Sequence, residues 1–158
     1  LIMSYVHVAH DCTVGKHCIL VSYVGIAGET EVGDWAIIGG GTKVHQFSKI
    51  GTHAMVGGGS AVNKDIPPYS ICGRIPICFA GVNIVGLRRR GFDSDTIRNI
   101  KDIYDTIYYQ GYNISDGCAK VEAGFLPSEE RDTILAFITN SKRGIVRASD
   151  SSEKGSIE

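Results

Sequence analysis

The stretch Leu20-Val21-Ser22-Tyr23-Val24-Gly25-Ile26-Ala27-Gly28-Glu29-Thr30-Glu31-Val32 decides the fold. Its aliphatic residues Leu20, Ile26 and Val32 are spaced six apart, a period that belongs to neither an α-helix nor an ordinary strand. Outward from there the same register takes in Ile2, Val8 and Val14 on one side and Ile38, Val44, Ile50, Val56 and Val62 on the other, without a miss. Two residues earlier in each unit the side chains are mostly small: Cys12, Cys18, Thr30, Ala36, Thr42, Ser48, Ala54 and Ser60, with Val6 and Val24 as exceptions. This hexapeptide repeat predicts a parallel β-helix, in which each short strand forms one side of a triangular prism and the aliphatic residue fills its interior. About 18 residues then make one coil, and coils stack at roughly 4.8 Å, so residues 18 apart are neighbours in space.

The repeat is expected to end at Ile66-Pro67-Pro68-Tyr69, where two prolines remove donors that another coil would use. Residues 1–69 are therefore read as β-helix coils, truncated at the N-terminus: the chain starts at Leu1 in mid-repeat, and further N-terminal coils would cover the open end. Residues 70–91 have no period and read as an irregular crossing segment that ends in Arg88-Arg89-Arg90-Gly91. Residues 92–147 read as a helical domain. Its first helix starts at Ser94 and carries Ile97, Ile100, Tyr104, Ile107 and Tyr108, with Gly111 closing it. A shorter helix is expected from Ser115 to about Ala123, and a third after Ser128 as cap, carrying Ile134, Leu135 and Ile138. Residues 148–158 are polar and charged, and disorder is expected there.

Composition narrows the function classes. A net charge of −1 gives no global attraction to nucleic acid or lipid, and no apolar run is long enough to suggest a membrane span. The 20 glycines suit tight corners between strands. Five cysteines without a CxxC pair indicate a reducing, cytoplasmic setting, with Cys12 and Cys18 as packing residues. Asn113-Ile114-Ser115 matches a glycosylation sequon but lacks a secretory signal to give it meaning.

None of the five histidines, His7, His10, His17, His45 and His53, falls in an interior register. For each, the competing reading is solvent exposure or packing against another subunit. His10 has the better case for chemistry, because Asp11 follows it and Gly28, then Gln46, stand one and two coils away in the same column. A carboxylate beside an imidazole fixes its tautomer and stabilises its protonated form, and a glycine backbone N–H can stabilise an oxyanion during acyl transfer. Other outward columns hold aromatics: His17, Trp35 and His53 in one, Tyr5 and Tyr23 in another. That much outward apolar surface on a small prism predicts association, and a cyclic trimer with clefts between prisms suits a three-sided shape.

One set of strings resembles a known family. His7-Val8-Ala9-His10-Asp11-Cys12-Thr13-Val14-Gly15, Ala36-Ile37-Ile38-Gly39-Gly40, Val44-His45-Gln46-Phe47, Pro67-Pro68-Tyr69, Gly81-Val82-Asn83-Ile84 and Gly86-Leu87-Arg88-Arg89-Arg90-Gly91-Phe92 are similar to the acyl-ACP:UDP-N-acetylglucosamine O-acyltransferases that begin lipid A synthesis. The resemblance covers residues 1–92 and is looser over the helical remainder. It implies a left-handed parallel β-helix homotrimer with a helical C-terminal domain, acting on acyl carrier protein and UDP-N-acetylglucosamine without a cofactor or metal. The reaction it implies is transfer of a 3-hydroxyacyl chain to the sugar 3-hydroxyl. By position, His10 is implied as general base, Asp11 as its orienting partner and Gly28 as oxyanion donor. His7, Gln46, Asn83, Arg89 and Arg90 are implied to hold the UDP-sugar, His45 to be a further site histidine, and Gly58 to set the depth of the acyl pocket. Glu29 stands where that family carries histidine, and Val85 where it can carry glutamate.

The arginine run fits a diphosphate clamp or an acidic carrier protein as well as a solvated basic loop. Two further readings stay open at this point. One is a zinc enzyme resembling γ-type carbonic anhydrases, which take three histidines across a trimer interface, with His7 and His10 as candidate ligands. The other is a non-catalytic trimerising segment whose aromatics form an interface.

Overall fold

The computed structural model describes residues 1–149. The expected disorder of 150–158 lies outside the described residues, and Ala148 is bridged to Phe79.

Two-residue strands build three parallel sheets, one per side of a prism. The first joins β1 (His7–Val8), β4 (Gly25–Ile26), β7 (Lys43–Val44) and β10 (Ala61–Val62). The second joins β2 (Thr13–Val14), β5 (Glu31–Val32) and β8 (Lys49–Ile50). The third joins β3 (Ile19–Leu20), β6 (Ile37–Ile38) and β9 (Met55–Val56), and then continues. Register pairs such as His7↔Gly25, Gly25↔Lys43 and Lys43↔Ala61 are 18 apart, the coil length read from the repeat. The interior is the expected one: Leu20, Ile26, Ile38 and Val56 are fully buried, whereas Ile2 is 61% exposed in the first coil.

The small-residue register has a bonding role besides packing. Cys12 Sγ donates to Ala27 O, Cys18 Sγ to Gly33 O and Thr42 Oγ1 to Gly57 O, each at 3.1 Å and each 15 residues ahead on the next coil. A short side chain with one donor ties neighbouring coils without filling the interior.

The corners differ from expectation. Their second position has positive φ, and it is held mostly by large residues: Tyr5, Asp11, His17, Tyr23, Glu29, Trp35, Phe47 and His53, with Gly41 and Gly59 completing the six-residue series. Such backbone costs of order 1 kcal/mol per L-residue and persists because the stacked coils dictate it. Several other glycines sit where the next coil passes close; a Cβ on Gly33 would lie 2.6 Å from Thr52 N.

The segment 70–91 is not irregular. After Pro67-Pro68 the chain completes the third side as β11 (Ser70–Gly73), parallel to β9, and returns antiparallel as β12 (Cys78–Val82). Parallel stacking therefore does stop after the prolines, one strand later than read from the sequence. The hairpin shows no alternation because buried residues (Ser70, Cys72, Gly73, Cys78, Phe79) occupy consecutive and mixed positions under the helices. Helix α1 (Ile84–Arg89) follows, capped by Asn83.

Helices α2 (Ser94–Tyr109), α3 (Ile114–Gly124) and α4 (Glu129–Asn140) cover that end of the prism. The cap of α3 is Asn113, whose side chain accepts from Asp116 N at 2.8 Å, rather than Ser115; Ser128 caps α4 as expected. Gly117 belongs in α3 because Ile107 of α2 passes so close that a Cβ would lie 2.9 Å from its Cα. Phe79 stacks on Tyr108 at 4.3 Å and lies 5.1 Å from Tyr104, so prism and helices share one continuous core. No described helix is long and apolar enough to cross a membrane.

Candidate active site

The column His10–Gly28–Gln46 forms one outer edge of the prism. His10 Nδ1 lies 2.9 Å from Asp11 Oδ2, with both side chains more than two-thirds exposed. An ionised carboxylate only accepts, so the ring proton sits on Nδ1 and the Nε2 lone pair is left free. The left-handed backbone at Asp11 (φ 56°) belongs to the corner that sets this carboxylate beside the ring. The imidazole lies flat over the next coil: a Cβ on Gly28 would be 2.6 Å from both Cε1 and Nε2. Gly28 therefore makes room for the imidazole. The residues flanking Gly28 carry the coil-to-coil bonds, Ala27 N–H to Val44 O and Glu29 N–H to His10 O, both 3.1 Å.

Other groups gather on this edge. His45 Nδ1 donates to Gln46 O at 3.0 Å, which leaves its Nε2 unbonded and exposed. His7 is exposed at the start of the adjoining side, in register with Gly25 and Lys43, and the Lys43 stem crosses Gly25 to place Nζ 2.6 Å from Tyr23 O. Glu29 shares the corner: its carboxylate and the ligand atoms of His10 and Asp11 lie within 4.8 Å of one another. Among the described residues this is the set that could hold a metal ion. It offers one imidazole and two exposed carboxylates, and His7 is not part of it.

The remaining residues implied by resemblance lie on other edges. Gly58 sits on the edge of Tyr5 and Tyr23, where its N–H packs against Gly39. Asn83 and Arg90 lie on the third edge, over the column His17–Trp35–His53–Tyr69. The rings of that column stack at 4.1, 6.1 and 5.7 Å, and Phe92 closes edge-on over His53 at 5.0 Å. Asn83 is 2% exposed: Nδ2 donates to His53 O at 3.0 Å and Oδ1 accepts from Gly86 N at 3.2 Å. Arg90 donates to His53 Nδ1 at 3.2 Å and its guanidinium lies 5.5 Å over the Trp35 ring. Burial, and next the Arg90 charge, push the His53 imidazole down to about 4, and burial lowers Arg90 as well. Arg88 and Arg89 remain exposed on the last turn of α1. One protomer thus places His10, Asp11, Gly28 and Gln46 on one edge with His45 beside them, His7 on the adjoining side, and Gly58, Asn83 and Arg90 on the other two edges.

Sequence reading gave Glu29 no place beside His10 and missed Lys43. Both were accessible through the 18-residue columns, from Asp11 and His7 respectively.

A hexapeptide-repeat β-helix with a histidine–carboxylate pair exposed on one edge defines a class of proteins. The model of the family described as UDP N-acetylglucosamine O-acyltransferase, domain 2, matches residues 65–146, and the chain belongs to that family. It is 55% identical over 150 residues to the acyl-[acyl-carrier-protein]–UDP-N-acetylglucosamine O-acyltransferase of Trichlorobacter lovleyi, and 54% identical over 147 residues to that of Fusobacterium nucleatum. Each match takes in 93% of this chain, which spans 58% and 57% of the lengths of those two proteins. Among solved structures, the UDP-N-acetylglucosamine acyltransferase of Bacteroides fragilis superposes with a TM-score of 0.88 at 48% identity, over 90% of this chain and 56% of that one. The Francisella novicida enzyme gives 0.90 at 34% identity, over 95% and 55%.

Proposed function

We propose that the protein containing this chain is an O-acyltransferase that moves a 3-hydroxyacyl group from acyl carrier protein to the 3-hydroxyl of UDP-N-acetylglucosamine, the first step of lipid A synthesis. The observation that carries the reading is the exposed His10–Asp11 pair lying over Gly28. In this account His10 Nε2 takes the proton of the sugar hydroxyl as its oxygen attacks the thioester carbonyl. Asp11 holds the tautomer and stabilises the imidazolium, and the Gly28 N–H stabilises the oxyanion. The tetrahedral intermediate then collapses, the C–S bond breaks, and His10 returns the proton to the departing thiolate. No electron transfer is needed, so no redox cofactor enters.

His7, His45 and Gln46 are assigned to the sugar nucleotide on the same edge, and Arg89 and Arg90 to its phosphates. A homotrimer is part of the proposal. It is supported by the placement of Gly58, Asn83 and Arg90 on edges other than that of His10, so that a substrate touching all of them must lie between protomers. A cytoplasmic location goes with an acyl carrier protein donor and with five free cysteines. Incubating the full-length protein with UDP-N-acetylglucosamine and a ladder of acyl carrier protein thioesters, followed by mass spectrometry, tests the reaction. The expected product is a mono-O-acylated sugar nucleotide with one chain length preferred; no acylated product from any thioester refutes the assignment.

A further inference from the structure

The C-terminal strap, residues 141–148, crosses the edge that carries His10 at Arg143 and ends against Phe79 of β12. Its anchor is Asp65, 1% exposed, whose Oδ1 accepts from Lys49 N at 2.8 Å and whose Oδ2 accepts from Ser141 Oγ at 2.6 Å. The strap backbone is fastened beside it: Asp65 N–H donates to Gly144 O at 2.9 Å and Val146 N–H to Asp65 O at 3.0 Å. Lys64, next in the column after His10, Gly28 and Gln46, donates to Arg143 O at 3.4 Å. A buried carboxylate satisfied on both oxygens and two backbone bonds hold Arg143 in place before its side chain does anything.

The guanidinium then spans two carbonyls of successive coils. Nε donates to Asn63 O and a terminal nitrogen to Gln46 O, each at 3.2 Å. Gln46 O is also the acceptor that fixes the His45 ring. A carbonyl has two lone pairs, so both bonds can coexist, and the planar guanidinium pins the peptide plane on which the His45 orientation depends. We propose that Arg143 is a positioning residue for the sugar-nucleotide site: held by the strap, it fixes the Gln46 carbonyl and through it the His45 and Gln46 side chains. This rests on the acyltransferase reading, which assigns those two side chains to substrate. Neither the hexapeptide repeat nor the strings that carry the family resemblance include Arg143, 97 residues away from Gln46.

The test is steady-state kinetics of the full-length protein with R143M and R143K, alongside thermal unfolding. Methionine keeps the apolar stem and loses both bonds; lysine keeps the charge and reaches one carbonyl. R143M is expected to raise KM for the sugar nucleotide roughly tenfold with kcat changed less than about twofold, and R143K to raise KM about threefold. A lowered Tm with unchanged KM overturns the proposal, since a merely structural strap would do that. Should R143M fail to fold, an unchanged KM in R143K overturns it equally. If the wild-type protein acylates no sugar, the acyltransferase reading has failed and this inference with it, whereas turnover insensitive to both substitutions sinks the inference alone.

Discussion

At the residue scale, the edge column works because one position has no side chain. His10 lies over Gly28 with its ring against the place a Cβ would take, so the ring's position depends on that absence. Gly28 is not at positive φ, and alanine there strains no backbone. Its methyl group would meet the imidazole at 2.6 Å and push it aside. Because His10 is exposed, the ring can swing away at little cost to folding. Gly28→Ala is therefore expected to lower kcat/KM for acyl transfer by roughly 10–100-fold with Tm nearly unchanged. Wild-type kinetics in that variant would show that the stacked geometry is not used. The His10–Asp11–Gly28 relation was legible in the sequence, since adjacency gave the pair and the 18-residue coil gave the glycine. The ring's closeness to the space a Gly28 Cβ would fill was not, because a column specifies neighbours and not which atoms touch.

At the scale of elements, the third edge ties α1 to the prism. Asn83 binds His53 O, Arg90 binds the His53 ring, and Phe92 covers it. The arginine donates to Nδ1, so the ring must be neutral. The folded protein holds His53 unprotonated down to about 4, while the unfolded chain takes its proton near 6.5. Between those values the unfolded state binds more protons, so this contribution is complete above about pH 6.5 and is lost as pH falls towards 4. Discounted for the partly exposed ring, it is about 1–2 kcal/mol. His53→Phe keeps the stacking and removes the titration. The wild-type advantage in unfolding free energy over this variant is expected to shrink between pH 7 and pH 4.5; a difference constant across that range contradicts the account. None of these links was visible in the sequence beyond the aromatic column itself. Arg90 reaches His53 across 37 residues, and the stretch that carries Arg90, residues 70–91, has no period.

At the scale of the whole molecule, a solenoid of identical steps presents side chains in straight columns, and function depends on which column each residue joins. The interior, the coil length and the outward histidines followed from the six-residue spacing because every coil obeys it. The hairpin after Pro68, the Asn113 cap and the C-terminal strap did not, since each depends on contacts made once: Phe79 of β12 against Tyr108, Gly117 against Ile107, Arg143 on Gln46. Residues implied together by family resemblance divide over three edges, which is why the proposed site needs a neighbouring protomer. The whole account turns on His10 as a base that folding does not need. Measuring acyl transfer to UDP-N-acetylglucosamine by full-length His10→Ala, beside its thermal unfolding, tests this most directly. A kcat reduced by roughly 10²–10⁴-fold at an unchanged Tm is the expected result; turnover within about twofold of wild type would contradict it.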